Sequence, residues 1–484
     1  MLQYETSVEK LVASHELPFL VGTIDGGELA STIESVRDWQ TQTPGSGNIR
    51  QPVPNLPFDV LQEVFLACVE PQIASDIISL IPKTFNDSLD PTLPPWTLSQ
   101  VCRSWRQAAL MTSSLWTFIG IQMPTPDNTS VHKKNSMATQ LSTLYSRSRN
   151  RPLSIEVKSY YPVSPDDVLL STLCSHSSRW ERVRFSFNGD DVLQSMSPLI
   201  KSKLPILHSL SVNLYGNIAL NSALDAFEDA PKLQRVTVSG LPHDLYASLR
   251  IPWSQITRFT RHDTLSRTNM NISNHLAHMR DIVEYDDAGF QWPAGPNVHL
   301  PRLRKLILGL AGRASESIAW NRLQLSSRFD DMRVSGVTSN PGSFLPFLLR
   351  WGGTLRTLYL EDSLINEPDG VQVIGQLHSL QTLSLFYRRT TPDRLVKALT
   401  ELHPLHFLPK LQHLSFFGAF NVAENAMVEM LLARLRGDNP LQTFGSPSYP
   451  SVEAAKELVR RGLVLRRTSH MDWSQSFSGF RLLG

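Results

Sequence analysis

The chain has 484 residues, of which 41% are hydrophobic, and its 46 basic and 44 acidic side chains leave a formal net charge of +2. This composition suffices for two or three packed domains and argues against global disorder. The near-neutral charge gives no reason to expect a nucleic acid or a membrane surface as partner, and the three cysteines show neither a disulfide framework nor a zinc spacing.

No basic-then-apolar leader pattern stands at the N-terminus, and no apolar run approaches the length of a membrane span. We therefore expect the protein in the cytoplasm, the nucleus or both. Residues 1–53 have a weak helical pattern and end in a segment rich in Pro and Gly, so they are predicted to be an N-terminal extension and linker.

The next segment has the pattern of a helix with one apolar face. Pro57 suits the first turn of a helix, where a missing N–H costs nothing. Apolar residues then recur at helical spacing, at Val60, Leu61, Val64, Phe65, Cys68 and Val69. A second amphipathic helix is predicted from Leu98, Val101, Cys102, Trp105, Ala108 and Ala109, and Leu115 and Trp116 close the module. Cys68 and Cys102 are interpreted as small core residues.

This ordered set resembles the F-box, most closely the F-box-like proteins abundant in mushroom-forming fungi. The residues that carry the resemblance are Leu56, Pro57, Leu61, Val64, Phe65, Val101, Cys102, Arg103, Trp105, Arg106, Leu115 and Trp116. The segment 70–96 between the two helices is long and rich in Pro, which departs from the compact F-box. We assign residues 54–120 to this F-box-like domain.

The resemblance implies that the module docks a Skp-family adaptor of a cullin–RING ubiquitin ligase. The implied contact residues are Leu56, Pro57, Leu61, Val64, Phe65, Val101 and Trp105. The alternative is a small helical domain packed on the rest of the chain, where it would cap the first face of a repeat array.

Farther along, Met137, Leu141, Leu144 and Tyr145 predict a helix, and the alternation in residues 152–157 predicts a strand. From there the unit apolar-x-x-apolar-x-apolar recurs about every 25 residues, lengthening to about 30 beyond Leu380. Clear copies begin at Trp180, Leu207, Leu233, Leu303, Leu355, Leu380 and Leu411, and fainter ones at Ile256, Met279 and Leu441.

The period and the pattern are typical of leucine-rich repeats, whose short strands stack into one shared core. The fold class is therefore α/β: a small all-α module, then an irregular solenoid of parallel strands and helices over residues 133–484. The gap between residues 308 and 355 is predicted to hide at least one irregular unit. A non-repetitive α/β domain with coincidental spacing is the alternative.

In such a solenoid, the residues between the inward apolar positions lie on the concave strand face. Those predicted to bind a protein substrate are Arg182, Arg184, Arg235, Lys305 and Tyr359. Arg side chains suit an acidic or phosphorylated segment of the partner, although solvated charges on a strand face would give the same pattern.

Nothing in the chain matches a phosphate-binding loop, a dinucleotide fingerprint, a zinc protease helix or a nucleophile elbow. His403, His406 and His413 fit no zinc spacing. We expect no enzyme, cofactor or metal, but a substrate-recognition subunit of an SCF-type ligase. The alternative is a non-ligase interaction scaffold in which the F-box-like helices cap the repeats.

Overall fold

A large parallel sheet dominates the computed structural model. Sixteen segments of the chain are described: 56–73, 85–125, 130–164, 166–215, 223–241, 248–262, 275–290, 297–310, 320–335, 341–361, 368–387, 392–402, 406–418, 422–436, 439–448 and 450–469. The fold class is α/β, because helices alternate with the strands over most of the described chain.

The strands are β1 (Phe118–Gln122), β2 (Leu153–Ser159), β3 (Trp180–Asn188), β4 (Ser209–Tyr215), β5 (Arg235–Ser239), β6 (Arg258–His262), β7 (Glu284–Phe290), β8 (Val298–Leu300), β9 (Lys305–Leu310), β10 (Leu323–Leu325), β11 (Asp331–Ser335), β12 (Thr357–Glu361), β13 (Thr382–Tyr387), β14 (His413–Gly418), β15 (Thr443–Ser446) and β16 (Val464–Arg467). Fourteen of them form one sheet in chain order, β1 to β7, then β9, then β11 to β16. Only β8 and β10 pair separately, also in parallel.

The helices are α1 (Phe58–Ile73), α2 (Arg103–Met111), α3 (Val131–Arg147), α4 (Val168–Cys174), α5 (Asp191–Ile200), α6 (His275–His278), α7 (Pro341–Leu349), α8 (Pro368–Gly375), α9 (Asp393–Glu401), α10 (Glu424–Leu435) and α11 (Val452–Arg460). Short 3-10 turns cover Thr97–Gln100, Ser113–Trp116, Ser177–Arg179, Trp253–Gln255 and Trp320–Arg322. No described helix is both long and apolar enough to cross a bilayer.

Each predicted repeat supplies one strand of the sheet. On β4, for example, Leu210, Val212 and Leu214 are buried, while the residues between them are partly exposed. Because side chains alternate along a strand, one face of the sheet is covered by the core and the other looks outward. The gap between residues 308 and 355, where an irregular unit was predicted, contains β11, which pairs with β9 and β12 in the sheet.

The predicted second helix is wrong at its start. Residues Thr97–Gln100 form a 3-10 turn, and α2 begins only at Arg103. Cys102 between them is extended, with φ −154° and ψ 178°, which breaks the helical stripe. Val101 is consequently 58% exposed instead of lying on a buried face.

The N-terminal helices lead directly into the edge of the sheet. Trp116, which is fully buried, ends the turn before β1, and its Nε1 donates to the Ala109 carbonyl at 2.8 Å. The Arg147 guanidinium of α3 lies 4.4 Å from its ring centroid. Residues Phe58–Gly484 form one compact unit, and of the other, Met1–Pro57, only Leu56 and Pro57 are described.

A polar cluster interrupts the apolar core at β6 and β7. Arg261 and Asp287 are register partners at inward positions where the neighbouring strands carry Val238 and Leu308. Both side chains are buried. The Tyr285 hydroxyl donates to Asp287 Oδ2 at 2.9 Å and lies 3.3 Å from His275 Nε2.

His275 makes the stability of this core dependent on pH. Burial, then the charges of Arg261 and His278, lower its pKa from 6.5 to about 3. Because the folded pKa lies below the unfolded one, the unfolded chain takes up the proton first. This contribution is therefore complete above pH 6.5 and is lost as the pH falls toward 3.

We expect His275→Phe to remove this part of the pH dependence. Between pH 6 and 4, its free energy of unfolding should fall less steeply than that of the wild type, by about 1.4 kcal/mol per pH unit at most. Urea denaturation at successive pH values measures both slopes. Equal slopes would show that His275 is not held neutral in the folded protein.

Two glycines end strands where no other residue fits. Gly240 and Gly418 have φ of +69° and +79°, and a Cβ would lie 1.8 Å from the Leu214 carbonyl oxygen and 2.2 Å from that of Tyr387. Each carbonyl belongs to the preceding strand, so the close approach sets the spacing of neighbouring repeats.

We expect Gly418→Ala to cost about 3 kcal/mol, because it combines a left-handed backbone with a steric clash. Gly462→Ala is the matched control: its φ is +91°, but no heavy atom lies within 4 Å of the added Cβ. That control should cost about 1 kcal/mol. Equal losses in chemical denaturation would contradict the proposed close approach.

Candidate functional site

The strand face that points away from the core carries the predicted substrate-binding residues. We call it the outward face. Register places its side chains in rows that cross the sheet, with neighbouring strands about 4.8 Å apart. Arg182, Arg235 and Lys305 lie in a first row, and Arg184 and Tyr359 in a second.

The first row is basic only in its early part. It reads, from β2 to β14, Ser154, Arg182, Ser209, Arg235, Arg258, Glu284, Lys305, Asp331, Thr357, Thr382 and His413. Arg182 and Arg235 are two strands apart, about 10 Å. Lys305 stands between two carboxylates, so the structure does not group it with the arginines.

Carboxylates mark both ends of this basic stretch. In the second row Arg184 Nη1 lies 3.9 Å from Glu156, and in the first row Arg258 Nη2 lies 3.0 Å from Glu284. Arg258 was not among the binding residues predicted from the sequence, although it lies at an outward position two residues after the start of the faint repeat at Ile256. The face is therefore a basic strip from β3 to β6, bounded by acidic side chains.

The later part of the face is aromatic. Ile307, Phe386 and Phe417 form a cluster, and Tyr359 packs against it. The Arg333 guanidinium lies 4.5 Å from the Tyr359 ring centroid and 3.0 Å from Asp331 Oδ2. Such stacking of a guanidinium on an aromatic ring is favourable and orients both groups.

The repeat pattern places mainly hydroxyl side chains at the outward positions of this part, among them Thr357, Thr382 and Ser384. Phe386 and Phe417 were overlooked because the repeat pattern ends at Leu385 and Phe416, whereas β13 and β14 continue beyond them. The next alternation puts both phenylalanines on the outward side, in register with each other. Strand length was the missing information.

The residues predicted to bind an adaptor divide into two groups. Leu61 and Phe65 of α1 are buried, and the Phe65 ring packs on Trp105 with centroids 5.0 Å apart. Val64 is 42% exposed and Val101 58% exposed. Leu56 is half-buried and Pro57 exposed, and both precede the helix.

Helix α1 is thus apolar on two sides. Leu61, Phe65 and Val69 are buried, whereas Val60 and Val64, one turn apart, are exposed. Phe58 at its start is 44% exposed, and α2 adds the exposed Leu110 and Met111. Five exposed large apolar side chains therefore lie on these two helices. The other seven in the described helices and strands are spread over six elements: Val131, Val168, Tyr215, Leu349, Val452, Val459 and Val464.

The cysteine prediction is wrong for Cys102, which is exposed, while Cys68 is half-buried. The Ser104 hydroxyl and the backbone N–H groups at the start of α2 lower the pKa of the Cys102 thiol.

Within the described segments, no three His, Cys, Asp or Glu side chains are grouped as a metal would need. His413 Nδ1 lies 2.8 Å from Thr443 Oγ1, and His403 falls outside the described residues.

No protein-family model matches the chain, and no curated protein sequence matches it significantly.

Proposed function

We propose that this chain is the substrate-recognition subunit of an SCF-type cullin–RING ubiquitin ligase. The single observation that carries the proposal is the exposed apolar side of α1, with Val60 and Val64, on a helix whose other side is anchored in the fold. An apolar stripe that a protein leaves in water is typical of a docking surface. In this proposal its partner is a Skp-family adaptor.

The sheet would be a degenerate leucine-rich-repeat array. The in-order parallel strands and the buried Leu, Val and Phe positions support this proposal. The outward face would hold a protein substrate, with the basic strip from β3 to β6 and the aromatic patch around Tyr359 as its two contact regions. Arg182, Arg184 and Arg235 remain the predicted contacts for acidic side chains.

No bond chemistry is assigned to this chain. Its contribution would be positional, because a substrate held near the charged ubiquitin carrier reacts at a raised effective concentration. In addition to binding an adaptor, the same helices would cap the first strand of the sheet, since the buried Trp116 lies where they join β1.

The experiment is co-elution of the full chain with a purified Skp-type adaptor on gel filtration. We expect a complex with the wild type and none with Val60→Asp/Val64→Asp. These positions are exposed, so the variant should keep its fold, which circular dichroism checks. Val452→Asp/Val459→Asp is the matched control, since these valines of α11 are 70% and 55% exposed; this control should bind like the wild type.

The second candidate is a non-ligase scaffold in which α1 and α2 only cap the repeats. Burial of Leu61 and Phe65 within the chain favours it, because those side chains are then not available to a partner. In that case the wild type and the Val60→Asp/Val64→Asp variant would both elute without the adaptor.

A further inference from the structure

A second surface of the sheet lies at the starts of β9, β11, β12 and β13, away from the outward face. There a groove of about 540 Å³ opens between the turns that precede these strands. We call it the flank groove. Its volume falls in the range of ligand sites, about 300–1,000 Å³.

Backbone hydrogen bonds align the residues along the floor of the groove. The Asp330 N–H donates to the Arg304 carbonyl at 3.1 Å, the Arg356 N–H to that of Asp330 at 2.9 Å, and the Gln381 N–H to that of Arg356 at 2.8 Å. These residues therefore extend the ladder of the sheet by one row. Arg304 and Arg356 are about 10 Å apart, two strand spacings.

The lining of the groove has an excess of positive charge. Its charged side chains are Arg304, Arg328, Asp330, Arg356 and Lys410. Asp330, the one carboxylate among the described lining residues, accepts a hydrogen bond from Arg304 Nη2 at 2.7 Å. No carboxylate of the described segments forms an ion pair with the other three cations.

Neutral donors complete the lining. Ser327 and Thr354 contribute hydroxyl groups. At Gly353 no heavy atom stands within 4 Å of where a Cβ would lie, so a ligand can approach the backbone closely. The Ser379 hydroxyl donates to the Gly353 carbonyl at 2.8 Å, which holds this turn in place.

We propose that the flank groove binds a phosphate monoester. Three cations with no carboxylate partner in the described part of the chain match a dianion better than a single carboxylate, and arginine makes paired hydrogen bonds to phosphate oxygens. The phosphate is carried either by a modified side chain of a partner protein or by a small molecule. This site would exist whether or not α1 binds an adaptor, so the two proposals are tested separately.

The test uses the full chain and a fluorescein-labelled Gly-Ser peptide with one phosphoserine. The groove variant is Arg328→Gln/Arg356→Gln/Lys410→Gln. The control variant, Lys133→Gln/Lys397→Gln/Arg460→Gln, removes the same charge from exposed positions elsewhere. Fluorescence anisotropy at physiological salt measures binding, and thermal melting checks that all three proteins are folded.

We expect the wild type and the control variant to bind the phosphopeptide at least ten-fold more tightly than its unphosphorylated form. The groove variant should lose this preference. If free phosphoserine competes as well as the phosphopeptide, the natural ligand is a small molecule; if it competes at least ten-fold less well, the ligand is a modified protein. Either result agrees with the proposal.

Three results would overturn it. The wild type could bind both peptides equally, or the two variants could lose binding to the same extent, which would indicate a general charge effect. Tighter binding of a single-stranded RNA oligonucleotide through the same three residues would make the groove a nucleic-acid site. Adaptor co-elution of the groove variant should remain unchanged, which separates this test from that of the ligase proposal.

Discussion

Replacing Asp287 with alanine is expected to cost about 4 kcal/mol of folding free energy, because the buried Tyr285 hydroxyl loses its acceptor and the buried Arg261 on the neighbouring strand loses a nearby negative charge. Asp287 is fully buried and accepts the Tyr285 hydroxyl at 2.9 Å. Its register partner Arg261 is 3% exposed, and Arg261 Nη1 has no hydrogen-bond acceptor among the described residues. Without the carboxylate, the guanidinium would remain buried and uncompensated.

The double variant Arg261→Met/Asp287→Leu distinguishes this cause from lost packing. It removes both charges at similar volume, so it should be at least 2 kcal/mol more stable than Asp287→Ala. Urea unfolding of both variants measures the difference. If the double variant is as unstable as the single one, the two charges do not interact in the folded state.

The second large effect is expected at Trp116, where alanine should cost about 4 kcal/mol, as for other buried large aromatic residues. Trp116 is fully buried, and its ring contacts Trp96 edge-on with centroids 5.3 Å apart, beside the Arg147 guanidinium. Removing the indole would leave a cavity where the N-terminal helices join β1.

Trp116→Phe serves as the control, because it keeps an aromatic ring and loses only the five-membered part of the indole with its bond from Nε1 to the Ala109 carbonyl. Its cost should be about 1–2 kcal/mol. Amide exchange should show α2 losing protection in the alanine variant before the later strands do. Uniform loss of protection, or an alanine cost under 1 kcal/mol, would contradict this role of Trp116.

The repeat strands could be predicted from the sequence because their signal is local and periodic. One apolar pattern, repeated at a steady period, placed every strand from β3 to β7 and from β12 to β15. In contrast, β1 was missed. Its sequence contains Gly120, and a Cβ there would lie 2.5 Å from the Asn86 carbonyl oxygen, so its environment depends on a segment far away in the chain.

The break before α2 had no local signal either. Neither Gly nor Pro occurs between Leu98 and Ala109. The 3-10 turn is held instead by a contact with α2, in which Arg106 Nε donates to the Ser99 carbonyl at 2.9 Å. The helical spacing of the apolar residues therefore continues through Cys102, where the backbone is extended.

The sequence predicted which residues lie on the outward face, but not which charged side chains become neighbours there. Alternation placed Arg182, Arg184, Arg235, Lys305 and Tyr359 on the outward face, as the structure has them. Which side chains become neighbours depends on register between strands that are 20 to 30 residues apart, and a single repeat pattern does not contain that information. The flank groove arises in the same way, from turns of successive repeats.

Calorimetric titration of a purified Skp-type adaptor into the full chain tests the central claim most directly. We predict one binding site, a negative heat-capacity change from burial of the exposed valines of α1, and at least a hundred-fold weaker binding for Val60→Asp/Val64→Asp than for Val452→Asp/Val459→Asp. Absence of binding by the folded wild type, or equal affinities for the two variants, would contradict the claim and leave α1 and α2 as a cap of the repeat array.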